Sequence, residues 1–182
     1  QSLYEGVDID KIGSTGLITY MRTDSLRISD EARKAGNAYI LSKYGDKYLP
    51  KGGRIYKTAA NSQDAHEAIR PTNVNLTPDS IKNNLTSDQY KIYKLIWERF
   101  VASLMSNCVL NTVNVDITAG DYLFKANGHS VKFDGFTVLY EEGKDSEDDN
   151  TSVLPEMTEG ETLKLKSIDP TQHFTQPPAR FT

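Results

Sequence analysis

The sequence predicts an α+β protein of two units, a helical unit over residues 1–105 and a β-rich unit over residues 106–182. Helix signals dominate up to about residue 105, in the form of capping residues and, before that point, apolar residues spaced three and four positions apart. After Ser106 they alternate with polar residues, which is typical of strands. The charge changes at the same place. The first unit has 15 Lys and Arg against 12 Asp and Glu, and the second has 6 against 13.

The overall composition is that of an ordinary globular protein. The chain has 182 residues, 25% of them charged, and a mean hydropathy of −0.54. No apolar run reaches the roughly 20 residues that a membrane helix needs, so no membrane partner is expected. The single cysteine, Cys108, excludes an internal disulfide and a multi-cysteine zinc site, and we expect a cytoplasmic location. Neither unit is basic enough to indicate nucleic-acid binding by charge alone.

Capping signals predict two helices in the middle of the first unit. Ser29 is followed by two acidic residues, as at a helix N-terminus, and Gly45 is a typical stop signal, so a helix is expected over residues 30–44. Thr77 and Pro78 repeat the pattern of a cap followed by proline in the first turn, which predicts a second helix.

A capping box predicts the longest helix. Residues 86–89, Thr-Ser-Asp-Gln, fit the S/T-x-x-E/Q pattern, and the helix should continue to about Met105. Its aromatic residues could be stacking platforms for nucleic-acid bases. Because they lie at helical spacing, we interpret them as core. The predicted apolar face comprises Tyr93, Ile96, Trp97, Phe100 and Leu104.

The second unit is predicted as a meander of short strands. The first strand covers residues 109–117 and ends at a turn formed by Gly120 and Asp121. Two further strands, 122–124 and 131–133, are predicted on either side of a hairpin turn at Asn127-Gly128. Residues 136–140 and 162–168 should extend the sheet, and the acidic run 141–150 should form a loop between them.

Two segments of the first unit carry polar groups suited to phosphate chemistry. In residues 16–25 an apolar run ends at Tyr20 and is followed by Arg22 and Asp24. On an extended backbone Tyr20 and Arg22 would point to the same side. A guanidinium can favour a phenolate and can grip a phosphate with two hydrogen bonds, so the pair is a minimal set for attack on a phosphodiester. The structural alternative is a packed tyrosine beside a surface Arg22–Asp24 ion pair.

The second polar segment covers residues 62–72. If this segment is helical, His66 and Arg70 share a face, and Pro71 ends the helix. His66 could donate a proton or contact a phosphate. A zinc site is excluded because no second histidine follows at the required spacing. A solvated helix end is the structural alternative.

Together, the two segments resemble the type IA DNA topoisomerases, with the closest match to bacterial DNA topoisomerase I. The residues that carry the resemblance are Gly-Leu-Ile-Thr-Tyr-Met-Arg-Thr-Asp-Ser at 16–25 and, about forty residues later, His-Glu-Ala-Ile-Arg-Pro-Thr at 66–72. Shorter matches extend it over most of the chain: Leu-Tyr-Glu-Gly at 3–6, Leu-Ile-Trp-Glu-Arg-Phe at 95–100, Phe-Asp-Gly-Phe at 133–136, and the stretch 172–181.

The resemblance implies a role for each matching residue. Tyr20 would be the nucleophile that forms a 5′-phosphotyrosyl link with one DNA strand, and Arg22 would stabilise the scissile phosphate. His66 would contact the DNA backbone, and Asp24 and Arg70 would shape the DNA-binding site. The implied reaction cleaves and rejoins one strand and relaxes negative supercoils without ATP. Tyrosine recombinases and type IB topoisomerases fit less well, because their tyrosine lies late in the chain.

The resemblance also implies what lies outside this sequence. The family is built as a toroid of several domains, in which residues 1–105 would be the helical domain with the tyrosine and 106–182 an incomplete part of the β-rich arch. Mg²⁺ would be bound by a Toprim domain not in this chain, so no metal ligand is assigned here. Alone, the chain should be inactive. The expected partners are single-stranded DNA, the remaining domains of a parent chain and, through exposed strand edges, a second copy. The alternative function is a non-catalytic module that binds single-stranded DNA or another partner.

Overall fold

The computed structural model describes residues 1–56, 66–140, 154–175 and 177. Helices and small antiparallel sheets are combined in one chain, which confirms the predicted α+β class. A short helix α1 (Ser2–Glu5) precedes a hairpin of β1 (Val7–Ile9) and β2 (Gly13–Thr15) that the sequence did not predict. None of the helices in these ranges is long and apolar enough to cross a membrane.

Two long helices form the core where capping predicted them. Helix α2 is Asp30–Tyr44, with the Ser29 side chain accepting the amide of Ala32 and Gly45 ending the helix. Helix α3 is Ser87–Leu104, and both hydrogen bonds of the Thr86–Gln89 capping box form.

Helix α3 presents a buried aromatic face to α2 and to the loop before it. The Trp97 indole N–H donates to the Val74 carbonyl at 2.9 Å, and the Tyr93 hydroxyl donates to the Leu76 carbonyl at 2.6 Å. The ring of Tyr39 on α2 meets Trp97 edge-on, with centroids 5.2 Å apart. These polar contacts satisfy groups that burial would otherwise penalise. The core interpretation of Tyr93 and Trp97 is therefore confirmed, whereas Tyr90 is only partly buried.

The second predicted helix is present in a tighter form. Residues Pro78–Asn84 form a 3₁₀ helix rather than an α-helix. It packs against α3, with the Tyr90 hydroxyl donating to Asp79 at 2.8 Å.

The β-rich part is one long two-stranded ribbon, not the predicted meander. Strand β3 (Val109–Ala119) pairs with β4 (Tyr122–Phe133) around the predicted turn, where Gly120 has a φ of 60°. The hairpin predicted at Asn127-Gly128 is wrong. These residues lie inside β4, opposite Asn114 and Val113. The turn at Gly120 fixes the register, and the ladder then continues past an Asn-Gly pair that could have turned on its own.

The two other strand predictions in this part are also wrong. After β4 the chain turns at Gly135, whose φ is 53°, into a 3₁₀ helix, Gly135–Val138. A side chain on Gly135 would collide with the backbone of Asn107, so glycine allows the chain to fold back there. Within 154–175 the described residues form no strand, and the alternation over 162–168 is not used in pairing. The predicted acidic loop, 141–150, lies outside the described residues.

Tyr48 fastens the base of the ribbon to the helical part. Its carbonyl accepts the amide of Ser106 at 2.8 Å, and its hydroxyl donates to Asp134 at 2.8 Å. Its ring lies 5.0 Å from that of Phe133 at the end of β4. One residue therefore holds the chain just before β3 through its carbonyl and just after β4 through its side chain.

Candidate active site

The two polar segments lie side by side. The amide of Thr19 donates to the Arg70 carbonyl at 2.9 Å, and the amide of Thr72 donates to the Leu17 carbonyl at 3.0 Å. An isolated antiparallel bridge joins Ile18 to Pro71. Leu17 and Ile18 are buried, and they anchor the first segment in the core. Residues 16–20 thus form a single bridge rather than a strand, and the bridge brings together residues about fifty positions apart.

Two hydroxyl groups complete this pairing. The Thr19 hydroxyl donates to the Ala68 carbonyl at 2.8 Å and accepts the amide of Arg70 at 2.9 Å. The Ser25 hydroxyl, in a residue only 4% exposed, donates to the His66 carbonyl at 2.8 Å. These side chains occupy backbone groups that would otherwise be buried without partners. Sequence reasoning missed both residues. The signal for Thr19 was a hydroxyl next to the tyrosine in an apolar run, whereas Ser25 lies in the polar stretch after it and had no distinct signal.

Tyr20 lies at the end of the paired region with its side chain half exposed, at 53%. Its ring contacts two other rings, those of Tyr4 on α1 and His66 on the second segment. The centroid distances are 5.5 Å and 6.3 Å. Among the described residues none forms a hydrogen bond with the Tyr20 hydroxyl. Sequence reasoning did not identify Tyr4 as a neighbour of this site.

Arg22 follows Tyr20 through a tight turn. The amide of Arg22 donates to the Tyr20 carbonyl at 2.9 Å, which is the hydrogen bond of a three-residue γ-turn. The prediction of an extended backbone between them is therefore wrong, and alternation does not set the direction of the two side chains. The Nε of Arg22 lies 2.7 Å from the Asp24 carboxylate, with the two side chains 44% and 36% exposed. The surface ion pair expected as the structural alternative is present.

His66 and Arg70 do not share a helix face, because residues 66–70 are not helical. The backbone groups of this stretch are used in pairing with the first segment, and Pro71 disfavours helical geometry at the preceding residue. The Nδ1 atom of His66 is buried and has no hydrogen-bond partner among the described residues.

Arg70 is occupied within its own segment. Its guanidinium lies 2.6 Å from the Glu67 carboxylate, and it also donates to the Pro71 carbonyl at 3.0 Å. The Arg70 side chain is only 13% exposed. This geometry suits a residue that holds the shape of its own segment better than it suits a residue that binds a ligand.

A groove of about 940 Å³ runs beside the site. The turn after Tyr20 contributes Met21 and Leu26 to one wall, and α3 contributes Ile92 and Leu95 to the other. Each of these four apolar side chains is more than 40% exposed. Contiguous exposed apolar surface of this kind marks a place where another protein surface or ligand binds.

Within the described ranges no group of three or more His, Cys, Asp or Glu residues lies close enough together to hold a metal ion. The described residues therefore do not fit a magnesium site.

Comparison with known proteins places this geometry in a family. All of residues 1–182 match the family model described as DNA topoisomerase. The structure is also similar to that of full-length topoisomerase I from Thermotoga maritima, with 37% sequence identity and a TM-score of 0.69. That match covers 86% of this chain but only 24% of the Thermotoga chain. The family match and the structural match agree with the paired motifs, and the chain belongs to the type IA DNA topoisomerases.

Proposed function

We propose that this chain supplies the nucleophile of a topoisomerase that cleaves and rejoins one DNA strand. The observation that carries the proposal is the half-exposed side chain of Tyr20 at the place where the two motif segments meet. Arg22 follows it by two residues in the chain, and the His66 ring lies next to its ring. A nucleophilic side chain needs a fixed backbone and an accessible reacting atom. The pairing of the two segments would fix the backbone of Tyr20, and the exposure of its side chain would leave the hydroxyl accessible.

In the proposed reaction the Tyr20 oxygen attacks a backbone phosphorus of single-stranded DNA. The bond from phosphorus to the tyrosine oxygen forms, and the bond to the 3′ oxygen breaks. The phenol proton is lost and a proton is gained by the leaving 3′ hydroxyl. One phosphodiester replaces another, so the reverse attack by the 3′ hydroxyl reseals the strand without ATP. Passage of a strand between the two steps relaxes negative supercoils.

Arg22 would stabilise the charge on the phosphoryl oxygens. A guanidinium has five N–H donors, and the contact of Arg22 with Asp24 is through Nε. The other donors can therefore reach a phosphate while Asp24 holds the side chain in place. In this proposal Asp24 shapes the site by orienting Arg22.

His66 would contact the DNA backbone next to the reacting phosphate. Its main chain is fixed by Ser25, and its ring lies against that of Tyr20. A protonated imidazole can donate to a phosphate oxygen from the nitrogen that faces the DNA. Arg70, paired with Glu67, would keep the His66 segment in shape for the same purpose.

The complete reaction needs the other domains of a parent enzyme. We infer that they bind the Mg²⁺ through a Toprim domain, that the enzyme is cytoplasmic, and that the apolar groove between Met21 and Ile92 is covered by a neighbouring domain. The 182-residue chain alone would then fail to relax a supercoiled plasmid. Magnesium-dependent relaxation by this chain would contradict the inference.

The test compares the parent enzyme with its Tyr20→Phe variant in covalent capture of single-stranded DNA labelled at its 3′ end, with Mg²⁺ present. The 3′ label stays with the part of the strand that a 5′-phosphotyrosyl link would retain. Tyr122→Phe is the matched control, since Tyr122 is 74% exposed and lies on the ribbon. Capture by the wild type and the control but not by Tyr20→Phe is expected. Equal capture by all three would show that another residue attacks.

One observation favours a different function. The ion pair with Asp24 already offsets the charge of Arg22, as it would in a purely structural motif. A non-catalytic module that binds single-stranded DNA would retain DNA binding, yet wild type and Tyr20→Phe would both fail to form a covalent adduct. Loss of capture in Tyr20→Phe alone excludes it.

A further inference from the structure

The ring of Tyr4 is the closest aromatic contact that the structure gives to Tyr20. The two rings meet edge-on, with centroids 5.5 Å apart and planes inclined by 60°. This geometry is the favourable one for aromatic pairs, because the positive edge of one ring faces the negative face of the other. Tyr4 is 43% exposed and lies in α1, which the site residues assigned above do not include.

Helix α1 is fastened directly onto the segment that carries Tyr20. The Leu3 carbonyl accepts the amide of Leu17 at 2.7 Å and that of Ile18 at 3.2 Å. The Leu3 side chain is itself buried, so the helix is anchored in the core at the residue before Tyr4. The position of the Tyr4 ring is thus set by the same backbone that sets the position of Tyr20.

Gly16 makes this close docking possible. A Cβ atom at position 16 would lie 2.6 Å from the Tyr4 carbonyl oxygen, closer than real Cβ contacts allow. Because the obstacle is backbone rather than the end of a flexible side chain, any other residue would displace α1 or the tyrosine segment. The close approach of the Tyr4 carbonyl therefore requires glycine at position 16.

We propose that Tyr4 is a positioning residue for the Tyr20 nucleophile. A half-exposed tyrosine can occupy several rotamers, and only some of them place its oxygen in line with a phosphorus–oxygen bond. The Tyr4 ring favours one rotamer by its edge-on contact, and Gly16 keeps that ring within reach. This inference depends on the proposed function of Tyr20, and Tyr4 itself does not touch the reacting atoms.

The test measures single-turnover cleavage of single-stranded DNA by the parent enzyme, together with DNA affinity. Tyr4→Leu should slow cleavage by about two- to tenfold, the rate equivalent of one aromatic pair, and leave the Kd for DNA unchanged. Tyr4→Phe keeps the ring and should cleave at the wild-type rate. Tyr122→Leu is the control for loss of an exposed tyrosine elsewhere and should also leave the rate unchanged.

A second variant tests whether Gly16 and Tyr4 act through the same contact. Gly16→Ala displaces α1 from the tyrosine segment and should slow cleavage as Tyr4→Leu does. Because both changes remove one contact, the double variant should be no slower than the slower single one. Multiplied rates would mean that the two residues act independently and would overturn the proposal.

The cleavage rates of the Tyr4 variants and adduct formation by Tyr20→Phe also test the positioning role of Tyr4. Wild-type cleavage by Tyr4→Leu, or equal slowing by Tyr4→Phe and Tyr4→Leu, would overturn the role of the Tyr4 ring. If Tyr20→Phe still forms the covalent adduct, the proposed function fails and the positioning role fails with it. If Tyr20→Phe abolishes the adduct while Tyr4→Leu is normal, only the positioning role fails.

Discussion

Replacing Thr19 by valine should loosen the pairing that holds the tyrosine segment. Valine has nearly the same shape, so the change removes a hydroxyl without opening a cavity. Two hydrogen bonds are lost, the donation to the Ala68 carbonyl at 2.8 Å and the acceptance from the Arg70 amide at 2.9 Å. At about 0.5–1.5 kcal/mol for each bond, the free energy of unfolding should fall by about 1–3 kcal/mol.

Urea denaturation of the 182-residue chain measures this loss. With a denaturant slope of about 2 kcal/mol per molar urea, the unfolding midpoint should fall by about 0.5–1.5 M. Thr118→Val is the matched control. Thr118 is exposed on β3, and no hydrogen bond of its hydroxyl is seen in the described structure. The control should shift the stability by less than about 0.5 kcal/mol. Equal midpoints for Thr19→Val and the wild type would refute the view that this hydroxyl joins the two segments.

Three further outcomes follow from packing, burial and exposed surface. Gly36→Ala on α2 would press a methyl group against Leu104, so about 1–3 kcal/mol of overpacking should outweigh the about 0.5–1 kcal/mol gained in helix propensity. Ser42→Ala, at an exposed position of the same helix, also raises helix propensity but lacks the clash, and it should not lower the urea midpoint. Burial raises the pKa of Glu98 above its ordinary value of 4.5, so the folded state holds this proton longer than the unfolded chain and stability falls as the pH rises through that range. Glu98→Gln should therefore gain stability relative to the wild type as the pH rises above about 4.5, and a difference in urea midpoint that stays constant with pH would contradict this. No other described residue pairs with the outer edges of the ribbon, so light scattering should detect species above 20.4 kDa at high concentration, and fewer of them after Phe124→Lys; monomers alone would count against association.

Local signals in the sequence predicted the helices well. The caps at Ser29 and Thr86 are interactions between residues three positions apart, so the sequence contains all that is needed to identify them. The same reasoning found the turn at Gly120 and failed at Asn127-Gly128. Both pairs can turn, and the choice depends on which strand lengths the rest of the chain can pair.

The site was predicted as a set of residue types rather than as a geometry. The two motifs could be identified because their residues suit phosphate chemistry, but their pairing depends on backbone contacts across about fifty residues. No local pattern indicates that Thr19 would bond to Ala68, or that Tyr4 would reach Tyr20. The γ-turn at residues 20–22 likewise follows from where the pairing ends.

The contacts described above between the ribbon and the helical part lie at the base of the ribbon. With eleven residues in β3 at about 3.4 Å each, it extends for roughly 37 Å from its base. Tyr48 holds that base through its hydrogen bonds with Ser106 and Asp134. Because the ribbon is long, a small rotation at its base would displace the tip at Gly120 much more than it displaces the base. The position of the tip therefore depends on how Tyr48 holds the base, through its carbonyl to Ser106 and its hydroxyl to Asp134.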